Sequence, residues 1–229
     1  FAFRTEPANA LVLGLGAGIV PRNLQVDGLE VTVVEINRDA LHAAQQFFGF
    51  DPSVVDVQIE DARTFVRRCG TIYDIAIVDL FHGDNTPDYL MTQEFFADLA
   101  KCMDDDSVLV INAFFDSENE EPNQRVRATI QSVFPSLFEF RSPDGAAYMA
   151  ATKVDRGAPD PLKPVQLPAF MRQDFASAAA NTRRISEMMI QGAAPITDAH
   201  NVFKVIFSNA DRRLRRNLAD GLPIQFLVN

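Results

Sequence analysis

The sequence of 229 residues lacks tryptophan and has few residues with reactive sulfur or imidazole groups. Cys69 and Cys102 lie far apart and form no C-x-x-C pair, so neither a disulfide framework nor a cysteine metal site is expected. The three histidines, His42, His82 and His200, show no metal-ligand spacing. The sequence therefore predicts no metal centre, and reduced cysteines indicate a cytoplasmic location.

Long apolar runs and an excess of positive charge are missing too. No apolar run approaches the roughly 18 residues of a membrane span, and no signal peptide is visible. The 31 acidic and 21 basic residues give a net charge of -10, which argues against a nucleic-acid partner and fits a cationic small molecule or basic peptide. The sequence begins with Phe1 rather than methionine, so it leaves open whether a further N-terminal segment precedes this residue.

The most informative feature that is present is a glycine-rich turn between two apolar segments. One apolar run ends in Gly14, Gly16 and Gly18, and the next ends in Glu35. Such glycines let the backbone approach a nucleoside, and the acid accepts hydrogen bonds from ribose hydroxyls. A dinucleotide fingerprint would need glycine where Ile19 stands, whereas G-x-G-x-G is typical of S-adenosylmethionine sites. The alternative is a tight strand-to-helix turn that binds nothing.

Apolar, β-rich segments alternate with helical patterns through the first 152 residues. Near-continuous apolar strands joined by helices indicate a parallel sheet covered on both faces. Residues 137–141 and 147–152 flank a turn signal and predict a hairpin. The expected α/β fold is a Rossmann-like, seven-stranded, mostly parallel sheet with a C-terminal antiparallel hairpin. Its five parallel strands are predicted at residues 10–15, 30–35, 54–59, 73–80 and 108–113.

Helical periodicity predicts which faces of the connecting helices are buried. Over residues 39–48 the apolar face comprises Ala40, Leu41, Ala44, Phe47 and Phe48, and over residues 92–103 it comprises Phe95, Phe96, Leu99 and Met103. Further helices are predicted at residues 123–133, 169–191 and 209–220, with a proline-rich linker at 155–168. The expected organisation is a nucleoside-binding catalytic domain over 1–153, and a linker and helical extension over 154–229 that packs on it.

Polar residues stand at the ends of the predicted parallel strands, where open α/β sheets bind ligands. Asp61 is placed to accept a hydrogen bond from an adenine amino group, with Ile36 and Ala62 as apolar walls. A helix N-cap is the other role open to Asp61. Asp79 ends the fourth strand and Asn112 the fifth. Because like charges repel, such a run of carboxylates is difficult to explain as a stabilising feature.

The order of these motifs resembles the spermidine synthase (polyamine aminopropyltransferase) superfamily. The motifs are G-L-G-A-G, V-V-E-I-N, E-D-A-R, Y-D-I-A-I-V-D and L-M-T-Q-E-F-F. The resemblance implies the fold shared by class I methyltransferases and spermidine synthases, with S-adenosylmethionine or its decarboxylated form as the donor. It implies that Glu35 binds the ribose, that Asp61 binds the adenine, and that Asp79 is the catalytic acid that deprotonates and orients an amine. Dimers are common in that family, so a homodimer stays open.

Three departures from the family pattern concern the aminopropyl donor and the polyamine. Ala17 replaces an aspartate that would contact the amino-bearing chain of the donor. His82 replaces the aspartate that would grip the polyamine, unless Asp84 reaches in, and the N-terminal β-hairpin domain with its substrate tyrosine is not seen. The resemblance therefore favours methyl transfer to an amine, either a small amine or a peptide amine. Aminopropyl transfer, and a non-catalytic nucleoside-binding module, are the alternatives.

The segment 81–90 after the fourth strand is predicted to be a mobile lid that orders over bound ligands. Within it, His82 and Asp84 are candidate catalytic residues that would approach Asp79; an exposed loop histidine is the plainer interpretation of His82. Tyr89 is a candidate substrate contact, or packs the lid. Asp198, near the end of the chain, either faces the substrate or caps a helix.

Overall fold

The computed structural model describes residues 4, 6–80, 86–113, 115–116, 118–141, 147–155 and 181–221. Within these ranges one mixed sheet of eight strands runs through the molecule in the order β3-β2-β1-β4-β5-β7-β6-β8. The strands are β1 (Asn9–Leu13), β2 (Glu30–Glu35), β3 (Asp56–Ile59), β4 (Ile75–Val78), β5 (Val108–Ala113), β6 (Ser136–Arg141), β7 (Ala147–Thr152) and β8 (Arg183–Arg184).

The sheet confirms the predicted topology and adds one strand. Strands β1 to β5 are parallel, and β7 pairs antiparallel with both β5 and β6. The chain order reverses between β1 and β4, which is where ligands bind in open α/β sheets. The unpredicted strand β8 has only two residues and pairs with β6. The turn predicted at residues 142–145 lies outside the described residues.

Seven α-helices occur in the described ranges, and side-chain caps explain several of their starts. They are α1 (Ile19–Val26), α2 (Arg38–Phe48), α3 (Ala62–Arg67), α4 (Gln93–Ala100), α5 (Glu120–Gln131), α6 (Glu187–Ile190) and α7 (Phe203–Gly221). Asn37, Asp61 and Thr92 each accept a backbone N–H of the helix that follows. None of these helices is long and apolar enough to cross a membrane.

The C-terminal helices differ from the prediction. Residues 181–186 are not helical, because Arg183 and Arg184 pair with β6 as an edge strand; residues 169–180 lie outside the described ranges. The last helix begins at Phe203, earlier than the predicted start at residue 209. Asn201 accepts the N–H of Phe203 at 3.1 Å, which satisfies a free donor of that first turn.

Alternation along β1 divides the core into two layers. Ala10 and Val12 pack with β2 and the inner faces of α1 and α2, whereas Leu11 and Leu13 pack with α3, α4, α5 and α7 on the other side. The predicted apolar face of α4 is confirmed for Phe95, Phe96 and Leu99, which are buried; Met103 is buried too but lies beyond the end of the helix at Ala100. The prediction for α2 is wrong in its last turn, because Phe47 is 71% and Phe48 53% exposed. Ala44 is the residue of α2 that is fully buried.

A buried ion pair attaches α5 to the far edge of the sheet. The side chains of Arg127 and Glu139 are completely buried, with Arg127 Nε donating to Glu139 Oε2 at 2.8 Å. Arg183 donates to the other oxygen of Glu139 at 2.6 Å, so β8 joins the same cluster. Mutual pairing offsets the desolvation cost of these charges.

Candidate functional site

The carboxyl ends of the five parallel strands meet at one edge of the sheet and bring the predicted polar residues there. Gly14 follows β1, Glu35 ends β2, and Asp61 lies two residues after β3. Asp79 directly follows β4, and Asn112 lies near the end of β5. Backbone hydrogen bonds connect these ends: Gly14 donates to Val34 at 2.8 Å and Asp79 to Leu13 at 2.9 Å. The edge is therefore a fixed frame for the side chains it carries.

The three glycines of the turn have positive φ angles but different surroundings. A Cβ on Gly14 would lie 2.1 Å from the carbonyl oxygen of Asp79, and one on Gly18 would lie 2.5 Å from the ring of Phe50. A Cβ on Gly16, where φ is 52°, would meet nothing within 4 Å. Packing thus requires Gly14 and Gly18, whereas Gly16 borders open space. Open space beside a bare backbone is what a closely approaching ligand needs.

Both carboxylate oxygens of Glu35 are oriented by backbone N–H groups. Oε2 accepts from Leu15 of the glycine turn at 3.0 Å, and Oε1 accepts from Asn37 at 2.8 Å. Each carboxylate oxygen has two lone pairs, so both retain acceptor capacity. The arrangement presents two fixed acceptors side by side, which suits a pair of neighbouring hydroxyl groups.

Asp61 fulfils the predicted N-cap role and also carries a second interaction. Its Oδ1 accepts from the backbone N–H and hydroxyl of Thr64 at 2.9 and 3.0 Å, and its Oδ2 accepts from the Tyr89 hydroxyl at 2.7 Å. Burial raises the pKa of Asp61, but the hydrogen bonds from Tyr89 and Thr64 outweigh burial and hold it below its ordinary value. Burial and the Asp61 carboxylate raise the pKa of Tyr89 to about 12, so its hydroxyl is the donor.

The two predicted apolar walls differ in exposure. Ile36 is 60% exposed beside Glu35, so its side chain is available to a ligand. Ala62 is only 5% exposed and packs into the core below Asp61. An exposed isoleucine beside the oriented Glu35 carboxylate gives this edge of the sheet an apolar surface next to a polar one.

Asp79 is half-buried at the carboxyl end of β4, and a residue of the neighbouring strand β5 orients its side chain. Asn112 Nδ2 donates to Asp79 Oδ1 at 2.9 Å, and no described residue donates to Oδ2. Asn112 therefore holds one oxygen of Asp79, and the other oxygen has no hydrogen-bond donor among the described residues. The candidates His82 and Asp84 lie outside the described residues, as do Gly83 and the first half of the predicted lid.

Arg63 is a residue that sequence reasoning missed, and it links α3 to the C-terminal segment. It is buried and pairs with both carboxylate oxygens of Asp198, with Nη1 at 2.9 Å from Oδ1. The same Nη1 donates to the backbone carbonyl of Tyr89 at 3.0 Å. Asp198 does not cap a helix, since α7 starts five residues later. The arginine of E-D-A-R was visible in the sequence, but nothing local indicated a partner 135 positions away.

In the described ranges, no group of three or more histidine, cysteine, aspartate or glutamate side chains could hold a metal ion. The open backbone at Gly16 directly follows Leu15, which donates to Glu35, and lies two residues after Gly14, which packs on the Asp79 carbonyl. Ile36 follows Glu35 at the end of β2, and Asp61 follows the neighbouring strand β3. Such an arrangement can bind a nucleoside and hold a polar group near its end.

A family model for the spermine/spermidine synthase domain matches residues 2–142 of the chain. The chain belongs to the spermine/spermidine synthase domain family. The matched residues cover all strands from β1 to β6 and include the glycine turn, Glu35, Asp61 and Asp79. Asp198 lies beyond the matched part.

Individual relatives of this spermine/spermidine synthase domain carry two different descriptions. The polyamine aminopropyltransferase of Vibrio vulnificus is 33% identical over 147 residues, covering 62% of this chain and 48% of that protein. The N-terminal histidine N-methyltransferase of Emericella nidulans is 35% identical over 164 residues, covering 66% of this chain and 29% of that protein. The chain thus spans less than half the length of these curated relatives.

The fold of the domain is also that of a solved structure. A probable spermidine synthase from Corynebacterium glutamicum superimposes with a TM-score of 0.66, covering 86% of this chain and 74% of that chain. The two sequences are only 18% identical, so this likeness shows the fold alone. It confirms the predicted architecture independently of the family match.

Proposed function

We propose that this chain is a transferase that binds S-adenosylmethionine and transfers its methyl group to an amine. The observation that carries the proposal is the pair of oriented carboxylates, Glu35 and Asp61, beside the open backbone at Gly16. Glu35 offers two fixed acceptors to the ribose hydroxyls, and Asp61 offers an acceptor to the adenine amino group. Membership of the spermine/spermidine synthase domain family supports this assignment.

Asp79 supplies the group that the chemistry requires. In the reaction, the lone pair of the amine nitrogen forms a bond to the methyl carbon while the carbon–sulfur bond breaks. The electron pair of the broken bond stays on the sulfur and neutralises the sulfonium. The nitrogen then loses a proton, for which the Asp79 carboxylate is the acceptor. Asn112 fixes one oxygen of Asp79, so the carboxylate can hold the amine in line with the breaking bond. The sulfonium is already a good leaving group, so no metal is needed.

Residue 17 favours methyl transfer over aminopropyl transfer. The decarboxylated donor ends in an amine alone, for which a carboxylate at this position would be a suitable partner. S-adenosylmethionine also carries a carboxylate, which an acidic side chain in the turn would repel. Ala17 stands half-buried between Gly16 and Gly18 and has neither effect. Because the relatives include both an aminopropyltransferase and a methyltransferase, overall similarity does not separate the two reactions, and the proposal relies on residue 17 instead.

Aminopropyl transfer is the second candidate, because the Vibrio vulnificus relative is described as a polyamine aminopropyltransferase. Under that reading the acceptor is a polyamine, and the donor is decarboxylated S-adenosylmethionine. For methyl transfer the acceptor is a small amine or a peptide amine, as the description of the Emericella nidulans relative suggests.

Titration calorimetry with S-adenosylmethionine and its decarboxylated form tests the donor. We expect tighter binding of S-adenosylmethionine, and a loss of about tenfold or more in Glu35→Gln, which weakens one charged acceptor. Glu30→Gln is the matched control, since Glu30 is exposed at the opposite end of the same strand. Tighter binding of the decarboxylated donor, with an aminopropylated product by mass spectrometry, would reverse the assignment. No binding of either donor would refute the transferase.

A further inference from the structure

The hydrogen bonds of Asp61 leave one of its oxygens incompletely used. Oδ1 accepts two hydrogen bonds, both from Thr64, which fill its two lone pairs. Oδ2 accepts one well-formed hydrogen bond from a described residue, the one from the Tyr89 hydroxyl, and the backbone N–H of Arg63 adds a weaker attraction to the carboxylate. The carboxylate is therefore fixed on both sides and retains one acceptor position on Oδ2.

Tyr89 delivers its hydroxyl from a backbone that is itself held in place. Its carbonyl oxygen accepts from Arg63, which lies two residues beyond Asp61 and is paired with Asp198. The preceding carbonyl, of Asp88, accepts from Asn201 Nδ2 at 2.9 Å. Arg63 and Asn201, from two distant parts of the chain, thus hold the backbone on which Tyr89 stands. The position from which the Tyr89 side chain extends is therefore fixed.

We propose that Tyr89 is a positioning residue for nucleobase recognition, which orients Asp61 Oδ2 so that its remaining acceptor position selects a base with an exocyclic amino group. The inference rests on the proposed nucleoside site and deepens it by adding the source of its base selectivity. A hypoxanthine base presents a carbonyl oxygen where adenine presents an amino group, and that oxygen would face the carboxylate without a proton between them.

Orientation before binding is the physical advantage of this arrangement. A carboxylate that rotates freely loses that freedom when a ligand binds, and the loss reduces affinity. With Thr64 on one oxygen and Tyr89 on the other, Asp61 has already lost it. The sequence offered Tyr89 as a substrate contact or as packing of the lid; the structure shows its hydroxyl bonded to Asp61, and the substrate contact stays a prediction.

The test is calorimetry of the whole chain with S-adenosylhomocysteine and with its inosine counterpart, in which a carbonyl replaces the amino group. The wild type should prefer the adenosyl compound. Tyr89→Phe should weaken adenosyl binding by about tenfold and leave inosyl binding unchanged, so that discrimination falls by the same factor. Tyr73→Phe is the control, because Tyr73 is a buried tyrosine at the amino edge of the sheet. It should change neither affinity.

Every other outcome of this experiment contradicts either the inference about Tyr89 or the proposed function. Equal losses for both nucleosides in Tyr89→Phe would mean a structural role, and a gain in adenosyl affinity would mean that the hydroxyl competes with the base. Either result refutes the inference and leaves the proposed function intact. If the wild type binds no S-adenosylhomocysteine, both fail.

A measurement on the unmodified protein covers the case in which Tyr89→Phe does not fold. The chain has three tyrosines, so carbon NMR of labelled tyrosine gives few signals, and Tyr73→Phe and Tyr148→Phe identify Tyr89 by elimination. The hydroxyl-bearing carbon of Tyr89 should keep its hydrogen-bonded shift when S-adenosylhomocysteine binds. A shift to the value of a free hydroxyl would refute the inference.

Discussion

Gly14 and Gly16 lie two residues apart in the same turn, yet their replacement should have different consequences. Gly16→Ala should cost about 1–2 kcal/mol, the penalty of a left-handed backbone for an L-residue. Gly14→Ala should cost clearly more, because its Cβ would lie 2.1 Å from the Asp79 carbonyl and the backbone would have to move. Urea unfolding of both variants measures the difference.

The same two variants separate folding from binding. Gly16→Ala should stay folded at room temperature and still bind S-adenosylhomocysteine less tightly, because the new methyl group points into the open space of the site. If Gly16→Ala binds the nucleoside as the wild type does, the open space at Gly16 is not the ligand position.

Replacement of Asp79 tests whether the site is catalytic. Asp79→Asn keeps a carbonyl oxygen for Asn112 but removes the charge that accepts a proton, so turnover should fall by about 10²–10⁴. Donor affinity should change little. Asp56→Asn, at the exposed start of β3, is the control that should retain full turnover. Undiminished turnover in Asp79→Asn would remove this carboxylate from the mechanism.

At the scale of elements, Asp198 attaches the C-terminal segment to α3. Asp198→Asn should lower the free energy of unfolding by about 1–2 kcal/mol, discounted because its side chain is 40% exposed. Asp155→Asn is the control, since Asp155 and Arg184 form a pair in which both side chains are exposed, and it should cost almost nothing. Urea unfolding at neutral pH measures both variants.

The contribution of Asp198 should also depend on pH in one direction. The hydrogen bond from Arg63 holds the pKa of Asp198 below its ordinary value. Stability from such a group is fully present above the ordinary pKa of aspartate and is lost as the pH falls through the lowered value. The difference between wild type and Asp198→Asn should therefore shrink below that range. A difference that stays constant into acid would contradict the ion pair.

Elements with a regular apolar period could be predicted from the sequence, and elements defined by distant partners could not. The strands and the buried face of α4 follow from periods of two and 3.6 residues. Phe47 and Phe48 fit the helical period but are exposed, because periodicity does not show what packs against a helix. Strand β8 is too short to carry a pattern and depends on Arg183 reaching Glu139.

The candidate site shows the same division. Gly14, Glu35, Asp61 and Asp79 were predicted because each lies at the end of an apolar strand or within two residues of it, and the sheet brings strand ends together. The hydrogen bond from Tyr89 to Asp61 and the pairing of Arg63 with Asp198 join segments 28 and 135 positions apart. Their roles in binding remain predictions that the variants above decide.

At the scale of the whole molecule, the net charge of -10 should favour encounter with a cationic acceptor. Raising the ionic strength from about 10 mM to about 1 M shortens the Debye length from roughly 30 Å to roughly 3 Å. The kcat/KM for a protonated amine should then fall by about tenfold or more, while kcat at saturation changes little. Binding of neutral methylthioadenosine is the control and should be insensitive to salt. If kcat/KM does not fall, or both quantities fall together, the charge of the molecule does not attract the acceptor, and a neutral acceptor would fit better.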